Sequence, residues 1–81
     1  MIDLLSAPQY ARLRIKEIEG GHGVRRRLMA LGLHKNDLVE LDSKSILGGP
    51  IVIRNLSTDT SVAVGRGIAR SILVEIVEKE K

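Results

Sequence analysis

Residues 51–64 read IVIRNLSTDTSVAV, and this stretch gives the clearest indication of the fold. The segment from Ile51 to Leu56 is rich in β-branched residues, which favour strands. Ser57-Thr58-Asp59-Thr60 is a cluster of turn-forming residues, and an apolar segment resumes from Ser61 to Val64. The stretch therefore predicts two strands joined by a short turn, and with them a fold built on antiparallel sheet.

Strand patterns also occur on both sides of this hairpin. Between Arg12 and Lys16, apolar Leu13 and Ile15 alternate with basic residues, which is typical of a half-buried strand. Ile18 is out of phase with that alternation and predicts a bulge or a strand end. Two further strands are predicted from Leu38 to Leu41 and from Ile72 to Val77. Five short strands in so short a chain indicate a small barrel or sandwich, and closing the sheet would remove its exposed edges.

A short helix is expected between the first two strands. Gly20-Gly21-His22-Gly23 is a cluster of breakers, and the apolar residues after it lie at helical spacing. These residues are Val24, Leu28 and Leu31, and they form one stripe. Gly32 follows at the position where a left-handed glycine commonly ends a helix.

The remaining segments read as connections. Leu33 is expected to re-enter the core, and His34-Lys35-Asn36-Asp37 to form a turn in which Asn36 adopts the left-handed conformation. Residues 42–50 are predicted to form a loop. The segment Gly65 to Ser71 suits a single helical turn.

Length and composition indicate one folded domain spanning residues 1–81. We expect its core to lie within about residues 12–77, with residues 1–10 as a lead-in and residues 78–81 as a charged tail. The core must be aliphatic, because Tyr10 is the only aromatic residue. The chain has no cysteine, no apolar run of membrane-spanning length and no signal-peptide pattern at its start, which favours a cytoplasmic protein.

Motifs that would indicate catalysis, cofactor binding or a metal centre are missing from the sequence. His22 and His34 are the only histidines, and the Gly21-His22-Gly23 segment lacks the third glycine of a dinucleotide loop. Two separate histidines without cysteine do not match a recognised metal-ligand spacing. The prediction is therefore a protein that is not an enzyme and that holds no cofactor and no metal.

The arginines are the more informative residues. Arg25, Arg26 and Arg27 fall in the first turn of the predicted helix, where positive charge opposes the helix dipole, so helix stability does not explain their placement. On a helical wheel Arg26 lies opposite the apolar stripe, and Arg25 lies beside Met29. We predict that Arg25, Arg26 and Met29 form a contact patch for an acidic partner surface, with Arg66 at the start of the second helical turn as a further contact. The alternative is a solvated face whose arginines pair with Glu17 or Glu19.

The loop Leu47-Gly48-Gly49-Pro50 is a second candidate for partner binding. Its glycines permit close approach of another backbone, and Ile46 and Leu47 are possible apolar anchors. The alternative is that Leu47 packs over the end of the barrel.

The ordered set of segments resembles a known family. It includes Ile18-Glu19-Gly20-Gly21, the run from Arg26 to Leu33, the run from Leu47 to Ile53, Val62-Ala63-Val64, and the run from Ala69 to Val74. Together they resemble the ferrous iron transport protein A (FeoA) family, the small cytosolic component of the bacterial Feo system. The resemblance implies an SH3-like barrel, also found at the C-terminus of iron-dependent repressors. It further implies an accessory role to the membrane Fe(II) permease, through that permease's cytosolic GTPase region.

Two features depart from that family's pattern. The Pro-Gly turn usual after the helix is replaced here by Lys35-Asn36, and the third hairpin turn lacks its usual glycine. Other functions also stay open, namely an SH3-like nucleic-acid-binding module and a transition-metal-sensing module. Nucleic-acid binding is disfavoured because Tyr10 is the only residue on which a base could stack. A weak homodimer is compatible with the sequence, and direct membrane insertion is not expected.

Overall fold

The computed structural model describes residues 1–44 and 48–77, and these residues form one antiparallel sheet with two helices and one 3₁₀ turn. The strands are β1 Ile2–Asp3, β2 Leu13–Ile18, β3 Leu38–Lys44, β4 Ile51–Asn55, β5 Thr60–Val64 and β6 Ile72–Ile76. The helices are α1 Gly21–Ala30 and α2 Arg66–Ala69, and the 3₁₀ turn is Leu4–Ser6. The strand order across the sheet is β1-β6-β2-β3-β4-β5.

This arrangement confirms the predicted mainly β, SH3-like fold, in which the hairpin of residues 51–64 is formed by β4 and β5. All five predicted strands are present among the described residues, and β1 is a sixth. The loop predicted for residues 42–50 is wrong for residues 42–44, because β3 continues to Lys44 and pairs with β4 there. The sheet is not strictly closed, because β1 and β5 stand at the two ends of the strand order and do not pair with each other. The expectation that closure removes the exposed edges is therefore wrong.

The first ten residues are more than a lead-in. Ile2 pairs with Val74 of β6, and the 3₁₀ turn that follows places Leu4 in the core with none of its surface exposed. Ala7 is also buried. The sequence reasoning missed this segment because Pro8 suggested an interruption, whereas the buried turn ends before that proline. The charged tail predicted at residues 78–81 lies outside the described residues.

The core is aliphatic, as the composition predicts. Its buried members are Leu4, Ala7, Leu13, Ile15, Ile18, Leu28, Leu33, Val39, Leu41, Ile51, Ile53, Val64, Ala69, Ile72 and Val74. The pairing of β2 with β6 shifts register between Ile15 and Glu17, which confirms the predicted irregularity. This shift inserts one extra residue into β2. As a result Ile18 is buried three positions after Ile15, and Glu17 between them is exposed.

Helix α1 begins earlier and buries less than the sequence suggests. It starts at Gly21, directly after Gly20, whose φ of 96° belongs to the left-handed region that glycine favours. Leu28 is fully buried, but Leu31, predicted to belong to the apolar stripe, is 38% exposed. The reason is that the helix ends at Ala30 and Gly32 (φ 84°) redirects the chain, so that Leu33 occupies the core.

The turn between α1 and β3 has the geometry predicted for it. Asn36 has a φ of 76°, which confirms that an asparagine can replace the glycine usual at this position. Its backbone N–H donates to the carbonyl of Ile15 at 2.7 Å, and the N–H of Ile15 donates to the carbonyl of Asp37 at 3.0 Å. The turn is therefore held against the middle of β2.

Among the described residues, Asn55 is the one polar residue buried with the core, with 1% of its surface exposed. Its Nδ2 donates to the carbonyl of Gly32 and to Oδ2 of Asp37, both at 2.9 Å, while its Oδ1 accepts from the N–H of Ser57 at 2.9 Å. One side chain thus connects the end of α1, the turn before β3 and the β4–β5 hairpin.

No helix within residues 1–44 and 48–77 combines the length and the hydropathy that crossing a bilayer requires.

Replacing Asn55 with alanine should lower the free energy of unfolding by about 2 kcal/mol. The carbonyl of Gly32 and the N–H of Ser57 would lose this side-chain partner, and Oδ2 of Asp37 would lose one of its two donors. Urea denaturation followed by far-UV circular dichroism measures this. The control is Thr58→Ala in the exposed turn of the same hairpin, which should stay within about 0.5 kcal/mol of the wild type. An Asn55→Ala protein as stable as the control would show that the amide does not hold these elements together.

Replacing Gly20 with alanine should destabilise the protein by at least about 1 kcal/mol. The left-handed backbone is strained for alanine, and the added Cβ would lie 2.9 Å from Cγ2 of Val24. The control, Gly23→Ala, has open space around the new Cβ and lies within α1, so it should stabilise the protein by up to about 1 kcal/mol. Thermal unfolding of the two variants should therefore shift in opposite directions, and equal shifts would contradict this description of the helix start.

Candidate binding groove

A groove of about 290 Å³ lies beside α1, where the end of β2 and the connection to β3 pass next to the helix. Three segments supply its walls. The lining residues are Glu17, Ile18, Arg25, Met29, Leu33, His34 and Lys35.

The helix contributes Arg25 and Met29, which are four residues apart and so share one face. Arg25 is fixed in place because its Nε donates to the carbonyl of Ile18 at 3.1 Å. Met29 is 58% exposed, so its side chain is available for contact with another molecule. Together they present a positively charged group and an apolar side chain to whatever enters the groove.

The floor and the rim of the groove differ in character. Ile18 is 9% exposed and Leu33 is fully buried, so the groove reaches the surface of the core. The rim carries the basic side chains of Arg25 and Lys35 and the acidic side chain of Glu17. An apolar side chain could lie on this floor while a carboxylate meets the basic part of the rim.

His34 connects the groove to the Asn55 hydrogen bonds. Its backbone N–H donates to Oδ2 of Asp37 at 2.8 Å, and its Nδ1 lies 3.3 Å from the same oxygen. Because that oxygen also accepts from Asn55, the His34 side of the groove is anchored to the buried amide.

The structure brings together only some of the residues predicted to bind a partner. Arg25 and Met29 line the groove, whereas Arg26 is exposed on α1 but does not line it. Arg66 opens α2, where its Nε donates to the carbonyl of Gly49 at 3.1 Å, and it is not part of the groove. Ile46 and Leu47 lie outside the described residues.

The sequence reasoning missed five of the seven lining residues, all from segments that flank the helix. Their position in the chain could have identified them, because residues just before and just after a short helix tend to pack beside it. The alternative in which the helix arginines pair with Glu17 or Glu19 has no support in residues 1–44 and 48–77. The ion pair found there joins Arg54 to Asp59, and Arg25 donates instead to the carbonyl of Ile18.

Metal-ligating side chains do not converge in the part of the chain that the structure describes. No group of three or more histidine, cysteine, aspartate or glutamate side chains there could hold a metal ion. His22 lies in the first turn of α1 and His34 lies beyond its end.

An acidic pair that the sequence reasoning did not single out lies on β3, away from the groove. Glu40 and Asp42 are two residues apart, next to the register shift between Leu41 and Ser43, and their carboxyl groups lie close enough to share a hydrogen bond. A hydrogen bond with Asp42, together with partial burial and the charge of Asp42, raises the pKa of Glu40, while Arg54 and Arg12 oppose the shift. A raised pKa means that the folded state favours the protonated carboxyl, so the pair opposes folding at neutral pH and this effect is relieved as the pH falls.

Arg54 on β4 faces Glu40 across the sheet and is paired with Asp59 at 2.7 Å. The hydrogen bond to Asp59 raises the pKa of Arg54 above its already high ordinary value. This surface is therefore a network of mutually compensating charges, some exposed and some half-buried, and it offers no apolar floor comparable to the groove.

Known proteins resemble this chain over almost its whole length. The chain is 28% identical over 78 residues to the putative Fe(2+) transport protein A of Methanocaldococcus jannaschii, which covers 96% of this chain and 90% of that protein. The NMR structure of an FeoA-like protein from Clostridium acetobutylicum superposes with a TM-score of 0.82 at 24% identity, covering 99% of this chain and 91% of that one.

The same fold also occurs within a larger protein. The structure of the manganese regulator SloR matches with a TM-score of 0.80 at 14% identity, covering 94% of this chain but 34% of the regulator. At that identity the likeness concerns the fold alone. The family model of the FeoA domain matches residues 2–76, that is, all six strands and both helices, and the chain therefore belongs to the FeoA domain family.

Proposed function

We propose that this protein is a cytosolic accessory component of ferrous iron uptake, and that it works by docking onto the GTPase-bearing cytosolic region of a membrane Fe(II) permease. Membership of the FeoA family supports the assignment to iron transport, as does the name of the relative from Methanocaldococcus jannaschii. The docking mode rests on one observation, the convergence of Arg25 and Met29 in a groove that reaches the core.

The groove suits a segment of a partner protein that combines an apolar and an acidic side chain. Met29 and the floor formed by Ile18 and Leu33 would cover the apolar side chain, which is the type of contact that dominates protein interfaces. Arg25 and Lys35 would meet the carboxylate. The hydrogen bond from Arg25 to the Ile18 carbonyl holds the arginine in place before binding, which lowers the entropic cost of ordering it.

The composition of the groove argues against single-stranded nucleic acid as the ligand. No aromatic side chain lines it, so bases would have nothing to stack on. Glu17 on the rim would also repel a phosphate backbone. Tyr10, the one aromatic residue, is 67% exposed but precedes β2 and is bonded through its N–H to the carbonyl of Leu41, outside the groove.

Reversing the charge of Arg25 with Arg25→Glu should weaken binding to the purified cytosolic region of the permease about tenfold or more, because a carboxylate would then face the acidic segment. Isothermal titration calorimetry measures the affinity. Arg70→Glu changes the net charge equally from an exposed position after α2, and should leave the affinity within about twofold. Arg26→Glu, which is exposed beside the groove, should have an intermediate effect through long-range attraction.

A second variant tests the apolar half of the site without altering charge. Met29→Ala should weaken binding by a similar factor while leaving the fold intact, since the side chain is more exposed than buried. The control is Leu31→Ala, which changes an exposed residue directly after the same helix that does not line the groove. Full affinity in both Arg25→Glu and Met29→Ala would exclude the groove as the docking site.

A further inference from the structure

Strand β5 leaves one side of its backbone unpaired at the end of the sheet. It pairs with β4 over its full length, from Thr60 opposite Asn55 to Val64 opposite Ile51. Within residues 1–44 and 48–77, no backbone hydrogen bond reaches its other side, and β5 is the last strand in the order. A free edge of this kind is a template for adding another strand.

The usual protections of an edge strand are missing from β5. Its five residues, Thr-Ser-Val-Ala-Val, include no charged side chain and no proline, and its pairing with β4 continues without a bulge. The opposite edge of the sheet differs, since β1 is only two residues long and includes Asp3. Within the described ranges, one edge of the sheet is thus protected and the other is open.

The surroundings of this edge are accessible. Thr60, Ser61 and Ala63 are exposed, and Val62 is half-buried. Directly after the strand, an added Cβ on Gly65 or Gly67 would meet no atom within 4 Å, so the start of α2 also borders open space.

We propose that this edge pairs with a second copy of the same chain, β5 against β5 in antiparallel orientation, across a two-fold axis at Val62. Only this register pairs all five residues of both strands. It places Val62 opposite Val62, Ser61 opposite Ala63 of the second copy, and Thr60 opposite Val64 of the second copy. Closed two-fold pairing of this kind is the commonest symmetry of protein oligomers.

Charge favours a second copy as the occupant. Because β5 has no ionisable residue, self-pairing puts no like charges opposite each other along the seam.

The pairing is weak and leaves the groove free. Two five-residue strands bury far less than the roughly 1,200 Å² of a stable interface, so the dimer forms reversibly as the concentration rises. No residue that lines the groove belongs to β5. Dimerisation is consequently independent of the docking proposed above, and either can fail without the other.

The test uses two double variants that differ only in the sign of the charge at position 63. In Ser61→Glu/Ala63→Glu, the two-fold register sets two glutamates opposite two glutamates. In Ser61→Glu/Ala63→Lys, the same register sets each glutamate opposite a lysine. Both variants share Glu at position 61, which faces Arg54 of its own chain, and both change exposed positions, so their folds should be equally preserved.

Sedimentation equilibrium over micromolar to millimolar concentrations measures the dimer, and circular dichroism verifies the fold. We expect a reversible dimer for the wild type, about tenfold weaker association for the Glu/Glu variant, and association at least as strong as wild type for the Glu/Lys variant. A wild type that stays monomeric, or that binds an extended peptide at β5 in preference to itself, would overturn the proposal. Equal association of both variants would do so as well, because the dimer would then form elsewhere.

Discussion

The hydrogen bonds of the buried Asn55 amide are the interaction on which the shape of the candidate groove depends. Its Nδ2 donates to the carbonyl of Gly32, directly after α1, and to Asp37 in the turn before β3, while its Oδ1 accepts from Ser57 in the β4–β5 hairpin. An aliphatic core of Leu, Ile and Val packs without directional preference, so it does not by itself fix where a connecting segment runs. The directional bonds of one buried side chain do fix it, which is how a buried polar group can favour one arrangement of a core over others.

The two sides of the groove have different physical origins. Leu33, His34 and Lys35 belong to the segment that Asn55 holds, whereas Glu17 and Ile18 are positioned by the register shift in β2. Without that shift, strict alternation would expose Ile18 and bury Glu17. Arg25 connects the two sides, because it belongs to the helix and donates to the carbonyl of Ile18. The groove is therefore lined by the end of β2, by one face of α1 and by the connection to β3, whereas the buried residues in the middle of the strands form the core.

The sequence predicts the positions of the strands and helices better than it predicts how they pair and pack. Alternation locates β2 to β6, and Gly32 marks the end of α1, since both signals are local. The burial of Leu4 was not predictable in the same way, because it depends on β1 pairing with β6 at the far end of the chain. Leu31 has the spacing of the apolar stripe, but spacing alone does not reveal that the helix ends at Ala30, one residue before it.

The same distinction holds for the candidate site. Arg25 and Met29 were found from a helical wheel, which needs only the helix. Lys35 and Glu17 were not found, because their place in the groove depends on how two connections pass the helix. Arg66 was grouped with the other arginines for its charge, although its hydrogen bond to Gly49 places it at a different part of the surface.

The most direct test of the central claim is an amide chemical-shift map of the labelled protein, titrated with the purified cytosolic region of the permease. If the groove is the docking surface, the largest shifts should come from the end of β2, from α1 around Arg25 and Met29, and from Leu33 to Lys35. The charged surface around Glu40 and Arg54 should remain unchanged. Shifts concentrated on that surface, with the groove unaffected, would contradict the account.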